Sequence, residues 1–355
     1  MSNGPWGTGW RGARRVAWRG IAVTMAAVVL SGCAAGAASS SPHLIWPLPP
    51  DPPRIELVGQ LATSGDVGQK TSLLSRLFGR IIGRSPIPIV RPSAVFSDGR
   101  GRILIADTGQ QVVHVFDMNT KEYHQIFHLI GPARLIAPVG VAADHQGRIY
   151  VSDSTLNDIF LFDANGRLLG RIGEPGDYER VAGIAVGSDG RLYAADAGGH
   201  KIVVYGPDGE KVMTIGKRGG GPGRFNFPSQ VAVDRHGTIY VTDSLNFRIQ
   251  LFDPEGKFLR MFGQLGTRIG SFSKPKGVAV DTDGDIYVVD GLYDVVQIFN
   301  QQGQLLLHVG GGGSDPGRFW LPSGIAIDQH NRIYVADTYN HRVQIFQLLP
   351  GPAEQ

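Results

Sequence analysis

An aspartate that closes a short apolar run returns at Asp107, Asp153, Asp196, Asp243, Asp290 and Asp337, at intervals of 46, 43, 47, 47 and 47 residues. No other feature of the chain restricts its fold as much. The unit is clearest over 322–346, P-S-G-I-A-I-D-Q-H-N-R-I-Y-V-A-D-T-Y-N-H-R-V-Q-I-F. It contains an apolar triplet, an Asp, a polar turn, the run R-I-Y-V-A-D, a polar loop and R-V-Q-I-F. The equivalent runs I-L-I-A, I-Y-V-S, L-Y-A-A, I-Y-V-T and I-Y-V-V are apolar almost throughout. Such runs suit strands covered on both faces. Turn pairs such as Asp98-Gly99, Asp189-Gly190, Asp208-Gly209 and Asp283-Gly284 suit tight hairpins. Short strands repeating every 40–50 residues or so specify propeller blades. The expected fold is therefore all-β, a six-bladed β-propeller over 54–350.

These units resemble NHL repeats, and the chain resembles the bacterial six-bladed NHL propellers that carry a lipoprotein signal. The resemblance implies a fold more firmly than an activity, since NHL proteins include sensors, scaffolds, RNA binders and a few lyases. Its blades are expected at 92–127, 138–173, 181–216, 228–263, 275–310 and 322–346. The last has no room for a fourth strand of its own. Residues 54–59 (R-I-E-L-V-G) end as the outer strands of other blades do, so they are expected to complete the sixth blade and close the ring. Closure removes an exposed edge that would otherwise template aggregation.

The N-terminal 53 residues read differently. A basic stretch to Arg19 precedes the apolar run Ile21–Leu30, too short to span a bilayer and suited to a signal peptide. It ends in Leu30-Ser31-Gly32-Cys33, which resembles the bacterial lipobox and implies lipidation at Cys33, the only cysteine. The expected domains are then a lipoprotein signal at 1–32, a tether at 33–53 and the propeller. Ala34 after the cysteine implies the outer membrane. Within the tether, a small-residue run and a Pro-rich run around Trp46 should be flexible and extended. Over 70–84, Leu73, Leu74, Leu77, Phe78, Ile81 and Ile82 recur at helical spacing, with Arg76, Arg80 and Arg84 on another face. The expectation is a helix capping the propeller, in preference to one lying on a membrane.

Charge narrows the choice of partners. The formal net charge is +3, but Arg11, Arg14, Arg15 and Arg19 leave with the signal, so the mature chain is close to neutral. A neutral exported chain is a poor nucleic-acid binder. The six aspartates tempt as an acid or metal ring, yet a carboxylate at the end of every second strand reads as a turn-former that accepts loop N–H groups. His145, His236 and His330 fall in alternate blades, His200 and His341 at a loop position taken by Phe247 in blade four, and His124 and His128 near one outer strand. No trio among them converges on a metal, and no cofactor is expected. The glycine-rich runs at 216–225 and 310–319 superficially suggest phosphate cradles, but their repetition at blade junctions marks them as connectors.

What differs between blades is the face made by the junctions and the loops after each second-strand Asp. Arg224, Phe225, Gln230, Phe247, Lys276, Tyr293, Arg318, Trp320 and Tyr339 are the candidate binding residues there. Variation on a repeated scaffold is where repeat folds place binding. Trp320, read as the only tryptophan of the propeller, either packs between blades or lines this face. The function expected is a membrane-anchored, extracytoplasmic binding or scaffold module for a protein, peptide or glycan, without catalysis. The alternative is a metal-dependent lyase or lactonase of the sort other six-bladed propellers support.

Overall fold

The computed structural model describes residues 44–67, 85–129 and 132–350. The signal and lipobox with Cys33, most of the tether and the expected helix at 70–84 lie outside the described residues. Among those described, no helix is long and apolar enough to cross a membrane.

Six antiparallel meanders make up the structure, each running from an inner first strand to an outer fourth. Blade one comprises Pro92–Ser97, Arg102–Asp107, Val112–Asp117 and Glu122–Ile126. Blades two to five repeat the pattern over 138–172, 181–215, 228–262 and 275–310. The sixth takes Ile325–Ile327, Arg332–Asp337 and Arg342–Leu348 from the C-terminus and Ile55–Leu61 from the N-terminus. Ile55 pairs with Leu348 and Leu61 with Val343 in that join. Each first strand touches the next around the circle, and the sixth touches the first. The ring is closed by the N-terminal strand.

The tether is shorter than its composition suggests. Ile45–Trp46 adds a fifth strand to blade six, pairing with Glu56 and Ile55. Trp46 meets Phe346 edge-on at 5.7 Å between ring centroids. Trp320 is therefore not the propeller's only tryptophan. Prolines around Trp46 favour an extended chain, but the aromatic ring and two backbone pairings dock it.

The core is divided among the blade interfaces. Six apolar clusters are present, one between each neighbouring pair. The second strands supply both sides: Leu104 faces blade two, while Ile103 and Ile105 face blade six. This double burial explains why those strands do not alternate polar with apolar. The junction glycines belong to the same scheme. Gly216 has φ +83°, and a Cβ there would overlap the ring of Phe225. The glycine lets the connector fold back and drive that phenylalanine inward.

Candidate functional site

In five blades the first strand slips register just after it begins, between Pro92 and Ala94, Pro138 and Gly140, Val181 and Ile184, Pro228 and Gln230, and Pro275 and Val278. A bulge leaves its extra residue unpaired in the ladder and re-aims the side chain. The residues so released, with those beside them, surround a funnel at the ring's centre with a volume of about 580 Å³. All six blades contribute, among them Ser93, Val139, Ala182, Gln230, Lys276 and Ser323.

The six aspartates fix this funnel from behind. All are fully buried. Asp107 accepts hydrogen bonds from the backbone N–H groups of Val90, Arg91, Gly109 and Gln110 at 2.6–3.0 Å. Asp153, Asp196 and Asp290 similarly hold Ala137, Arg180 and Lys274, the residues just before their first strands. In blades four and six, Asp243 and Asp337 instead take Asn226 and Trp320, one residue earlier. There the next residue turns left-handed, Phe227 at φ +54° and Leu321 at φ +48°. Its N–H is donated across the blade boundary, from Phe227 to His200 Nδ1 at 3.2 Å and from Leu321 to Asp294 Oδ1 at 2.7 Å. Asp243 and Asp337 also bind Arg248 and Arg342 at 2.8 Å. Burial raises the pKa of Asp107, but the His114 hydrogen bond and the backbone donors outweigh it and hold the carboxyl at about 2.

Several hydroxyls at and beside the funnel wall are already engaged. Ser93 Oγ donates to Pro138 O, Ser244 Oγ to Pro275 O and Thr338 Oγ1 to Pro92 O, each bond stapling one blade to the next. Cations are left over. Arg180, Lys274 and Lys276 line the funnel, and no carboxylate is among the lining residues. No side-chain hydrogen bond or ion pair joins these three to another described residue. Burial pushes Lys276 down to about 8, and Lys274 acts in the same direction against the pull of Asp294 and Asp290. Between the cations, blade four presents Phe227, Leu245 and Phe247.

The nine candidate residues do not form one site. Gln230, Phe247 and Lys276 line the funnel. Gln230 fills the space beside Gly183, where any side chain would collide with it. Trp320 and Tyr339 make an exposed shelf outside it, with ring centroids 5.7 Å apart and Arg91 over the Tyr339 ring at 5.3 Å. Trp320 is 54% exposed and does not pack between blades. Arg224 and Arg318 are exposed and lie against Gly219 and Gly313 of their own junctions, away from the funnel wall. Tyr293 donates its hydroxyl hydrogen to Gly266 O, tying down a junction loop. Phe225 is not a surface residue at all: it is fully buried against Phe252, at 5.5 Å between centroids. Arg180, Phe227 and Lys274 are functional candidates that the repeat reading passed over. Their signal was the residue just before each first strand, compared across blades.

Among the described residues no group of three His, Cys, Asp or Glu side chains is placed to hold a metal ion. The NHL repeat profile matches residues 225–252 and 319–346, and a 6-bladed beta-propeller family profile matches 134–212. No curated protein is similar enough in sequence to register as a relative. Solved structures share the fold. A streptogramin B lyase superposes with a TM-score of 0.56 at 14% identity, over 74% of this chain and 95% of that one. Virginiamycin B lyase from Staphylococcus aureus gives 0.54 at 13%, over 75% and 85%. Kuenenia stuttgartiensis hydrazine synthase gives 0.52 at 13%, over 72% and 95%. At such identities the likeness extends to architecture alone.

Proposed function

We propose that this six-bladed NHL-repeat propeller is a non-catalytic binding module, exported, lipid-anchored to the outer membrane through Cys33, and directed at a protein, peptide or glycan. The observation that carries the reading is the funnel. A buried aspartate holds the frame in every blade, while the lining changes from Ser93 to Val139 to Lys276. A constant frame with a variable lining is how a repeat scaffold acquires one ligand. The lining favours binding over metal-assisted elimination. It offers cations, an amide, hydroxyls and apolar side chains, and lacks the carboxylate and imidazole pairing that such chemistry needs.

Photocrosslinking in intact envelopes tests the reading. A photoreactive amino acid replacing Leu245, which is half-exposed at the funnel wall, should trap one discrete partner. The same group at Val58, exposed on the outer strand of blade six, should not. In parallel, the wild-type chain should take up labelled fatty acid and Cys33→Ala should not. Equal trapping from both positions ends the binding-face reading, and an unlabelled wild-type chain ends the anchor.

A further inference from the structure

The binding reading leaves the ligand's chemistry open, and the residue before each first strand narrows it. Around the ring these are Arg91, Ala137, Arg180, Phe227, Lys274 and Leu321. Cations stand on blades one, three and five, and apolar residues on two, four and six. Arg91 is committed to Tyr339, stacking on its ring and donating to its hydroxyl at 3.0 Å. Arg180 and Lys274 remain at the funnel, and the blade-five bulge adds Lys276 beside Lys274. Blade four lies between them with Phe227, Leu245 and Phe247. This sector is therefore two positive flanks on either side of an apolar wall.

We propose that the funnel binds an acidic peptide segment, its carboxylates meeting Arg180 on one flank and the Lys274–Lys276 pair on the other, with an apolar side chain against Phe227, Leu245 and Phe247. This rests on the reading of the funnel as a binding face. Lys276 is the decisive residue. It is partly buried and lowered to about 8 by that burial, and although Asp294 and Asp290 pull on it, neither is close enough to form an ion pair with it. A carboxylate supplies what the site lacks, whereas a neutral sugar would bury the ammonium further without compensating it. A single small anion would leave the apolar wall wet and most of the 580 Å³ unfilled.

The test uses the purified full-length chain and three probes: acetyl-Asp-Leu-Glu, its uncharged analogue acetyl-Asn-Leu-Gln amide, and inorganic phosphate. Calorimetry should show the acidic peptide binding roughly tenfold or more tighter than the analogue. Lys276→Met should lower its affinity roughly tenfold, Lys276→Arg should restore most of it, and Arg180→Gln, at a more exposed site, should cost roughly threefold. Leu245→Ser should weaken the peptide and leave phosphate unaffected. Arg224→Gln, outside the funnel, should change nothing. Equal binding of the two peptides overturns the proposal, as does unchanged binding by a folded Lys276→Met protein. Phosphate displacing the peptide while Leu245→Ser has no effect overturns it too, in favour of a simple anion site. If the photoreactive group at Leu245 still traps a partner while the acidic peptide fails to bind, the charge inference falls and the binding face stands. If the peptide binds with the Lys276 and Leu245 dependence above and nothing is trapped in envelopes, the funnel stands as an acidic-peptide site and the resident envelope partner falls.

Discussion

Replacing Ile55 by alanine should weaken the whole ring, although the residue is remote in sequence from the blade it completes. Ile55 is 1% exposed and packs in the cluster between blades five and six, with Phe346, Val309 and Ile333. Leu61, at the other end of the strand, is equally buried in the cluster between blades six and one. A buried Ile→Ala or Leu→Ala change costs about 2–5 kcal/mol through lost transfer energy and the cavity left behind. At about 2 °C per kcal/mol for a chain of this size, each change should lower Tm by roughly 4–10 °C. Val58, between them on the same strand, is half-exposed, and Val58→Ala should stay within about 0.5 kcal/mol of wild type. Removing everything before Gly65 deletes both anchors, Trp46 and Leu57 together. The loss, roughly 5–8 kcal/mol from burial alone, is comparable to the entire stability of a typical domain. That truncation should be insoluble, and a peptide spanning 44–63, supplied in trans, should rescue it by adding a strand to Arg342–Leu348. Thermal unfolding followed by circular dichroism is the assay. Equal effects at Ile55 and Val58, or a truncated chain that melts like wild type, would refute closure as a source of stability.

Two further outcomes follow from the geometry of the blades. Phe225→Ala should cost about 3–5 kcal/mol in urea unfolding, because the ring is fully enclosed against Phe252; a loss below about 1 kcal/mol would return the residue to the surface. Lys276 is charged up to about pH 8 in the fold and up to its ordinary 10.5 in the unfolded chain, so between these values the unfolded state holds the extra proton and stability rises with pH. Lys276→Met should reduce the gain in Tm between about pH 8 and about pH 10 relative to wild type, and an identical gain in both proteins would contradict the burial of that ammonium.

The blades were legible in the sequence because they are local objects. An Asp ends each second strand and captures N–H groups of the adjoining loops, so it recurs at the same spacing wherever a blade recurs. The sixth blade's outer strand was found through Val58-Gly59, but in the wrong register: the strand runs on to Leu61, which pairs with Val343 as Val309 pairs with Val296, while Val58 is half-exposed. Two placements depended on how the chain folds back on itself, which spacing does not record. Phe225 sits in a run of glycines and charges and looks exposed, but the connector returns parallel to itself at Arg218 and carries the ring beneath Gly216. Trp46 sits among prolines and looks like linker, but its contact is with Phe346, three hundred residues away. The cationic sector was present in the sequence at Arg180, Lys274 and Lys276. It emerged only when the strand entrances of different blades were seen around one axis.

Closure of the ring by its first strand also orders events in time. Ile55 leaves the ribosome among the earliest residues of the fold, and its partner Leu348 is among the last. The contact that completes the sixth blade therefore has nearly the greatest sequence separation the fold allows, and contacts of that kind form slowly. Until synthesis ends, the nascent chain carries an unmated strand at each end of a growing stack. A circle joined this way cannot finish folding on the near side of a translocation channel while its C-terminus is still being made, so a chain threaded through a membrane as it emerges would arrive before its last blade could lock.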